Sequence, residues 1–100
     1  LQKALTDLVL ESLGINPNSL QKQIVEGMNI VAVNSYPFCS EPNLASGIAR
    51  HTDHGLVTIL LQSYPGLQIK NSDDIWVKVP FLEGAFLVLL GDQMEVLSNG

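Results

Sequence analysis

Leu56-Val57-Thr58-Ile59-Leu60-Leu61-Gln62-Ser63-Tyr64-Pro65-Gly66-Leu67-Gln68-Ile69-Lys70 is the stretch whose reading decides the fold class. From Leu56 to Gln62, Val57, Ile59 and Leu61 lie opposite Leu56, Thr58 and Leu60. Apolar groups on both faces predict a central, covered strand. Ser63-Tyr64-Pro65-Gly66 then reads as a turn, with Pro and Gly at the central positions of type II. Leu67 to Lys70 resumes as a strand. It is followed by the turn sequence Asn71-Ser72-Asp73-Asp74 and by a second alternating run, Ile75 to Val79, so the two runs predict a hairpin.

Working outward, Pro80 ends the hairpin, and Ala85 to Leu90 reads as another buried strand, stopped by Gly91-Asp92. Gln93 to Leu97 is long enough for one helical turn. On the N-terminal side, Gly47 to His51 reads as a short strand. Met28 to Ser35 is rich in Val and Ile and reads as a buried strand broken by Pro37. Phe38 to Ser46, with Pro42, is a polar loop. Upstream the period changes to that of a helix. Leu1, Leu5, Leu8, Val9 and Leu13 fall at helical spacing, with Gly14 as the stop. Asn16-Pro17 predicts an N-cap with Pro at the first helical position, opening a short helix that carries Leu20 and Ile24 inward and ends near Gly27. The expected fold class is mainly β with N-terminal helices. Residues 1–27 form the end of a helical region, and residues 28–100 form part of an antiparallel sandwich or barrel.

Bulk composition narrows the function. The chain has 100 residues, 46% of them hydrophobic and 15% charged, a globular balance far from that of disorder. Its five basic residues are scattered and its formal charge is −5, so no basic footprint for nucleic acid exists. The longest apolar run, Ala85 to Leu90, is too short to span a bilayer. The single Cys39 excludes an internal disulfide and fits a reducing compartment. Leu1-Gln2-Lys3 has no Met and no basic n-region followed by an apolar h-region, so no secretory signal is visible in it. A cytoplasmic location with no nucleic-acid or membrane partner is expected. Leu1-Gln2-Lys3 opens inside a helical pattern and Ser98-Asn99-Gly100 is a turn with nothing after it, so a fragment is expected.

The chemistry-bearing residues are few. His51-Thr52-Asp53 places an imidazole and a carboxylate two residues apart, on one face of an extended chain and roughly 6.5 Å apart at Cα. That is two-thirds of the two-His-one-carboxylate set that holds non-haem Fe(II). The plain alternative is a surface histidine with an aspartate helping a turn. His54 falls on the opposite face and reads as a loop residue beside the site. Asn34 and Tyr36 form a second same-face polar pair at a strand end. They serve either to satisfy backbone groups or to bind an anionic ligand inside a barrel. Cys39 reads as packing, and Trp76 as a cover for the hairpin. No nucleophile elbow, phosphate-cradling glycine loop or CxxC pair is present.

The order of these motifs resembles the plant-type 2-oxoglutarate- and Fe(II)-dependent dioxygenases. Asn34-Ser35-Tyr36-Pro37 resembles that family's N-x-Y-P. Phe38-Cys39-Ser40-Glu41-Pro42-Asn43-Leu44 resembles its Pro-Cys-Pro-x-Pro-x-Leu loop, with Phe38 and Ser40 at two of the prolines. His51-Thr52-Asp53-His54-Gly55 resembles its iron-binding H-T-D segment. Pro65-Gly66-Leu67-Gln68-Ile69 is similar to its G-G-L-Q hairpin, Trp76-Val77 to its W-V, and Gly91 to Gly100 to its G-D-x-x-E-x-L-S-N-G.

The resemblance implies a double-stranded β-helix, or jelly roll, with His51 and Asp53 as iron ligands and Asn34 and Tyr36 at 2-oxoglutarate. It implies Fe(II) as metal, 2-oxoglutarate and O2 as co-substrates, and ascorbate in support. The implied reaction oxidises a small plant metabolite by hydroxylation, desaturation or demethylation while 2-oxoglutarate becomes succinate and CO2. The implied full-length parent is a monomer acting on a small-molecule substrate. The family's third ligand, a His beyond the S-N-G turn, and its Arg-x-Ser have no match in this chain, where Arg50 and His54 do not fit those motifs. Arg50 stands where the family commonly has Pro. Two other readings remain. One is a zinc hydrolase, which lacks an H-E-x-x-H base. The other is a truncated, non-catalytic β-barrel binding module or pseudoenzyme.

Overall fold

Helix α1 spans Gln2–Ser12 and ends as Gly14 requires. Gly14 is left-handed, with φ 73°. Its N–H donates to the Glu11 carbonyl at 3.0 Å, and the Ile15 N–H reaches back to Leu10 at 2.9 Å. This pair of bonds is the Schellman closure, and it satisfies carbonyls the helix cannot. The buried face differs from the expected stripe. Thr6 and Leu10 are buried, with Leu5 and Val9 half-buried, while Leu8 is 61% exposed. Leu8 and Leu10 are two residues apart, so on a helix they point to nearly opposite sides.

The structure is a computed structural model and describes residues 1–100, apart from the side chains of Gln21 and Val25. After α1 the Asn16 side chain caps a 3-10 turn, Pro17–Ser19, accepting from the Asn18 N–H at 3.0 Å. The chain restarts at Leu20 as α2, Gln21–Glu26. The single short helix expected from Asn16-Pro17 is therefore split in two, with the cap acting on the tighter turn.

From Gly27 to His54 the backbone forms no strand. Met28 to Ser35 and Gly47 to His51, both expected as strands, are irregular. A strand needs a neighbouring edge to satisfy its N–H and C=O groups, and neither segment forms a ladder among the described residues. Ile30, Val31 and Val33 consequently stand exposed, and so does Phe38 in the loop, at 95%.

Two units divide the chain, Leu1–His54 and Gly55–Gly100. All four strands belong to the second. β1 (Val57–Leu61) pairs antiparallel with β4 (Phe86–Leu90), in a register that places Ile59 opposite Val88. β2 (Gln68–Lys70) pairs antiparallel with β3 (Trp76–Lys78), with Ile69 opposite Val77. The expected central strand therefore has one neighbour rather than two. Only Leu87 and Leu89 of β4 are half-buried, and its other face is exposed. The expected type II turn does not close either: the chain bends through Ser63–Pro65, and Gly66 has φ 156°, well beyond type II. The β2–β3 turn does form where the sequence placed it. The Asn71 side-chain oxygen accepts from the N–H groups of Asp73 (3.0 Å) and Ile75 (2.9 Å), and Asp74 turns left-handed at φ 66°.

Helix α3, Asp92–Ser98, is longer than the single turn expected. Asp92 and Glu95 put negative charge at its first turn, where the helix dipole favours it. Asn99 closes it left-handed at φ 62°, and the Gly100 N–H bonds to Glu95 at 2.9 Å. Among the described side chains the buried apolar residues are Leu10 in the first unit and Val57 and Met94 in the second. Strands with flanking helices are what was expected; the jelly roll itself is a finer statement than these two small sheets make.

Candidate metal centre

Arg50 to His54 lies outside helix and strand, and within it the His51 and Asp53 side chains meet. His51 Nδ1 lies 2.8 Å from the Ala49 carbonyl oxygen. A carbonyl can only accept, so Nδ1 carries the proton. In the neutral ring Nε2 then keeps its lone pair. Nε2 faces Asp53 Oδ1 at 3.5 Å. That separation is too long for a good N–H···O bond. With the ring neutral, two electron-rich atoms face each other, an arrangement that a positive charge between them relieves; with the ring protonated, the same contact is an ion pair.

A metal cation fits this donor set. Bonds of about 2.1 Å meeting at right angles hold their donor atoms about 3 Å apart. Closing from 3.5 Å to that distance asks for a small side-chain adjustment. His51 is exposed and Asp53 half-buried, so an ion can reach them. Imidazole with carboxylate is the ligand chemistry of non-haem iron. Among the described residues no third His, Cys, Asp or Glu joins the pair. His54, expected as a loop residue beside the site, is exposed and does not complete a set of three.

The Asn34 and Tyr36 pair sits on the irregular segment before Pro37, exposed. Tyr36 is tied to the His51 segment indirectly, because its ring lies against Gly47. The Ala49 carbonyl and Gly47 were not singled out in the sequence. A backbone acceptor leaves no mark there, and Gly47 was read only as the start of a short strand. Cys39 is a free, exposed thiol rather than the packed one expected. Trp76 lies across from Lys70 on β3 and is 47% exposed. No helix among the described residues is long and apolar enough to cross a membrane.

The model of the 2OG-Fe(II) oxygenase superfamily matches residues 27–100. A 2-oxoglutarate-dependent dioxygenase 21, chloroplastic, of Oryza sativa subsp. japonica is 45% identical over 98 residues, covering 96% of this chain and 29% of that protein. A naringenin,2-oxoglutarate 3-dioxygenase of Petunia hybrida is 45% identical over 98 residues, covering 96% of this chain and 27% of the relative. A flavone synthase of Petroselinum crispum is 42% identical, again over 96% of this chain and 27% of its own length. The chain thus spans less than a third of the length of these relatives. No solved structure matches it.

Proposed function

Because the chain belongs to the 2OG-Fe(II) oxygenase superfamily, we propose that it supplies the Fe(II)- and co-substrate-binding part of a dioxygenase acting on a small plant metabolite. His51 Nε2 and the Asp53 carboxylate hold the metal. Ala49 fixes the imidazole in the tautomer that leaves Nε2 available, the role an outer hydrogen bond plays in most histidine metal sites. Asn34 and Tyr36 offer an amide and a phenol to the carboxylates of 2-oxoglutarate. With Fe(II) bound, the metal supplies the O2 chemistry that couples conversion of 2-oxoglutarate to succinate and CO2 with oxidation of the substrate. The protein's part is binding, orientation and shielding.

The observation that carries this reading is the meeting of His51 Nε2 and Asp53 Oδ1 at 3.5 Å with Nδ1 already bonded to Ala49. Relatives named for naringenin, flavanone and flavone support an aromatic substrate of the flavonoid kind. The same kinship supports a jelly roll as the fold that strands 57–61, 68–70, 76–78 and 86–90 serve in the whole protein, with residues 28–100 as its part and residues 1–27 preceding it. The test is succinate formation by the purified full-length protein, supplied with Fe(II), 2-oxoglutarate, O2 and a panel of flavonoids. Substrate-stimulated succinate that disappears in His51→Ala and Asp53→Ala is the expected result. Full turnover in both variants would refute the assignment. No succinate from the wild type with any supplied substrate would favour a binding module.

A further inference from the structure

We propose that Gly47 is a positioning residue for Tyr36: its bare Cα is the seat against which the tyrosine ring rests, holding the phenol for 2-oxoglutarate. The inference rests on the assignment of Tyr36 to the co-substrate given above. A Cβ built at Gly47 would stand 3.1 Å from Cδ1 and 3.2 Å from Cε1 of Tyr36. Those distances are inside ordinary van der Waals contact, so any side chain at position 47 presses on the ring. The glycine is not there for its torsion angles, because Gly47 lies outside the left-handed region. By contrast Gly55, in the same stretch, has nothing within 4 Å of where its Cβ would be. The requirement at position 47 is therefore one of space, and the space belongs to a single side chain.

Three features make that contact matter. Pro37 follows Tyr36 directly and restricts the Tyr36 backbone to extended conformations, leaving the side-chain torsions as its main freedom. Tyr36 is 58% exposed, so little besides Gly47 limits those torsions. Tyr36 and Gly47 also bracket the Phe38–Ser46 loop, and Gly47 lies four residues before His51. The contact thus fastens the segment bearing Asn34 and Tyr36 to the segment bearing His51 and Asp53. A methyl group at position 47 moves the ring by a few tenths of an ångström, and an isopropyl group dislodges it.

The test is equilibrium binding of 2-oxoglutarate to the full-length protein loaded with Mn(II), read by calorimetry without turnover. It is paired with nuclear Overhauser contacts between Gly47 Hα and the Tyr36 ring protons in the metal-free protein. The contacts are expected in the wild type. The dissociation constant is expected to rise about threefold in Gly47→Ala and about tenfold in Gly47→Val, as for weakening of a hydrogen bond to a charged group. Gly55→Ala should leave it unchanged. In a Tyr36→Phe background the Gly47 substitutions should add nothing further, because the hydrogen bond they disturb is already gone. Circular dichroism identical to wild type shows that each variant is folded. The proposal is overturned by absence of the contacts, by wild-type affinity in both Gly47 variants, or by an equal loss in the Tyr36→Phe background. Failure of the wild type to bind 2-oxoglutarate at all appears in the first titration. It would overturn the functional assignment itself, and this inference with it.

Discussion

At His51 a backbone oxygen decides what the side chain can do. With Nδ1–H held by Ala49, the lone pair of the neutral ring is on Nε2, facing Asp53. This geometry predicts that neutral His51 in the metal-free protein is the Nδ1–H tautomer, the minor form of a free histidine side chain. Long-range 15N–1H correlation spectra distinguish the two forms, and an Nε2–H ring would contradict the arrangement. The His51-x-Asp53 pair was legible because alternate residues of an extended chain share a face. The strand that this reading assumed does not form, yet the two side chains still lie 3.5 Å apart. The carbonyl that orients the ring could not be read, because every residue has one.

Element scale is where the sequence was read best at its punctuation and worst at its pairing. Gly14, Asn71 and the Ser98-Asn99-Gly100 turn each did what their chemistry dictates, because a left-handed residue or a side-chain acceptor acts locally. Asn99 makes the point testable. Its φ of 62° suits Asn or Gly and strains residues with an ordinary Cβ. In the full-length protein Asn99→Ala should cost about 1 kcal/mol while Asn99→Gly costs at most a few tenths. Denaturant midpoints that rank the two variants the other way would contradict the cap. Strand pairing was harder. The Val- and Ile-rich run from Met28 to Ser35 has the composition of a strand, but composition does not supply a partner edge. Helix α1 gives a milder case: of the expected stripe Leu1, Leu5, Leu8, Val9 and Leu13, Leu5 and Val9 are half-buried, while the buried face centres on Thr6 and Leu10.

For the whole molecule, accessible area measures how much apolar surface lacks a cover. The chain exposes 8393 Å² at a mass of 10.9 kDa. A folded monomer of that mass exposes about 5,600 Å², and two separate bodies of half the mass about 6,700 Å². The excess includes large apolar groups such as Val31, Val33 and Phe38, all more than nine-tenths exposed. Uncovered apolar area of this extent is the signature of a surface that other protein covers. The 100-residue chain prepared alone should therefore bind a hydrophobic dye strongly and unfold without a sharp transition. A monodisperse sample with a single cooperative calorimetric transition would contradict this. Function at this scale depends on whether His51 and Asp53 act together on one iron with 2-oxoglutarate beside it. Anaerobic titration of the full-length protein with Fe(II) and then 2-oxoglutarate measures that directly, through the metal-to-ligand charge-transfer absorption of the bound keto acid. The band is predicted to appear at one equivalent of iron and to vanish in His51→Ala and Asp53→Ala. A wild-type protein that shows no band, or a double variant that keeps it, would contradict the assignment.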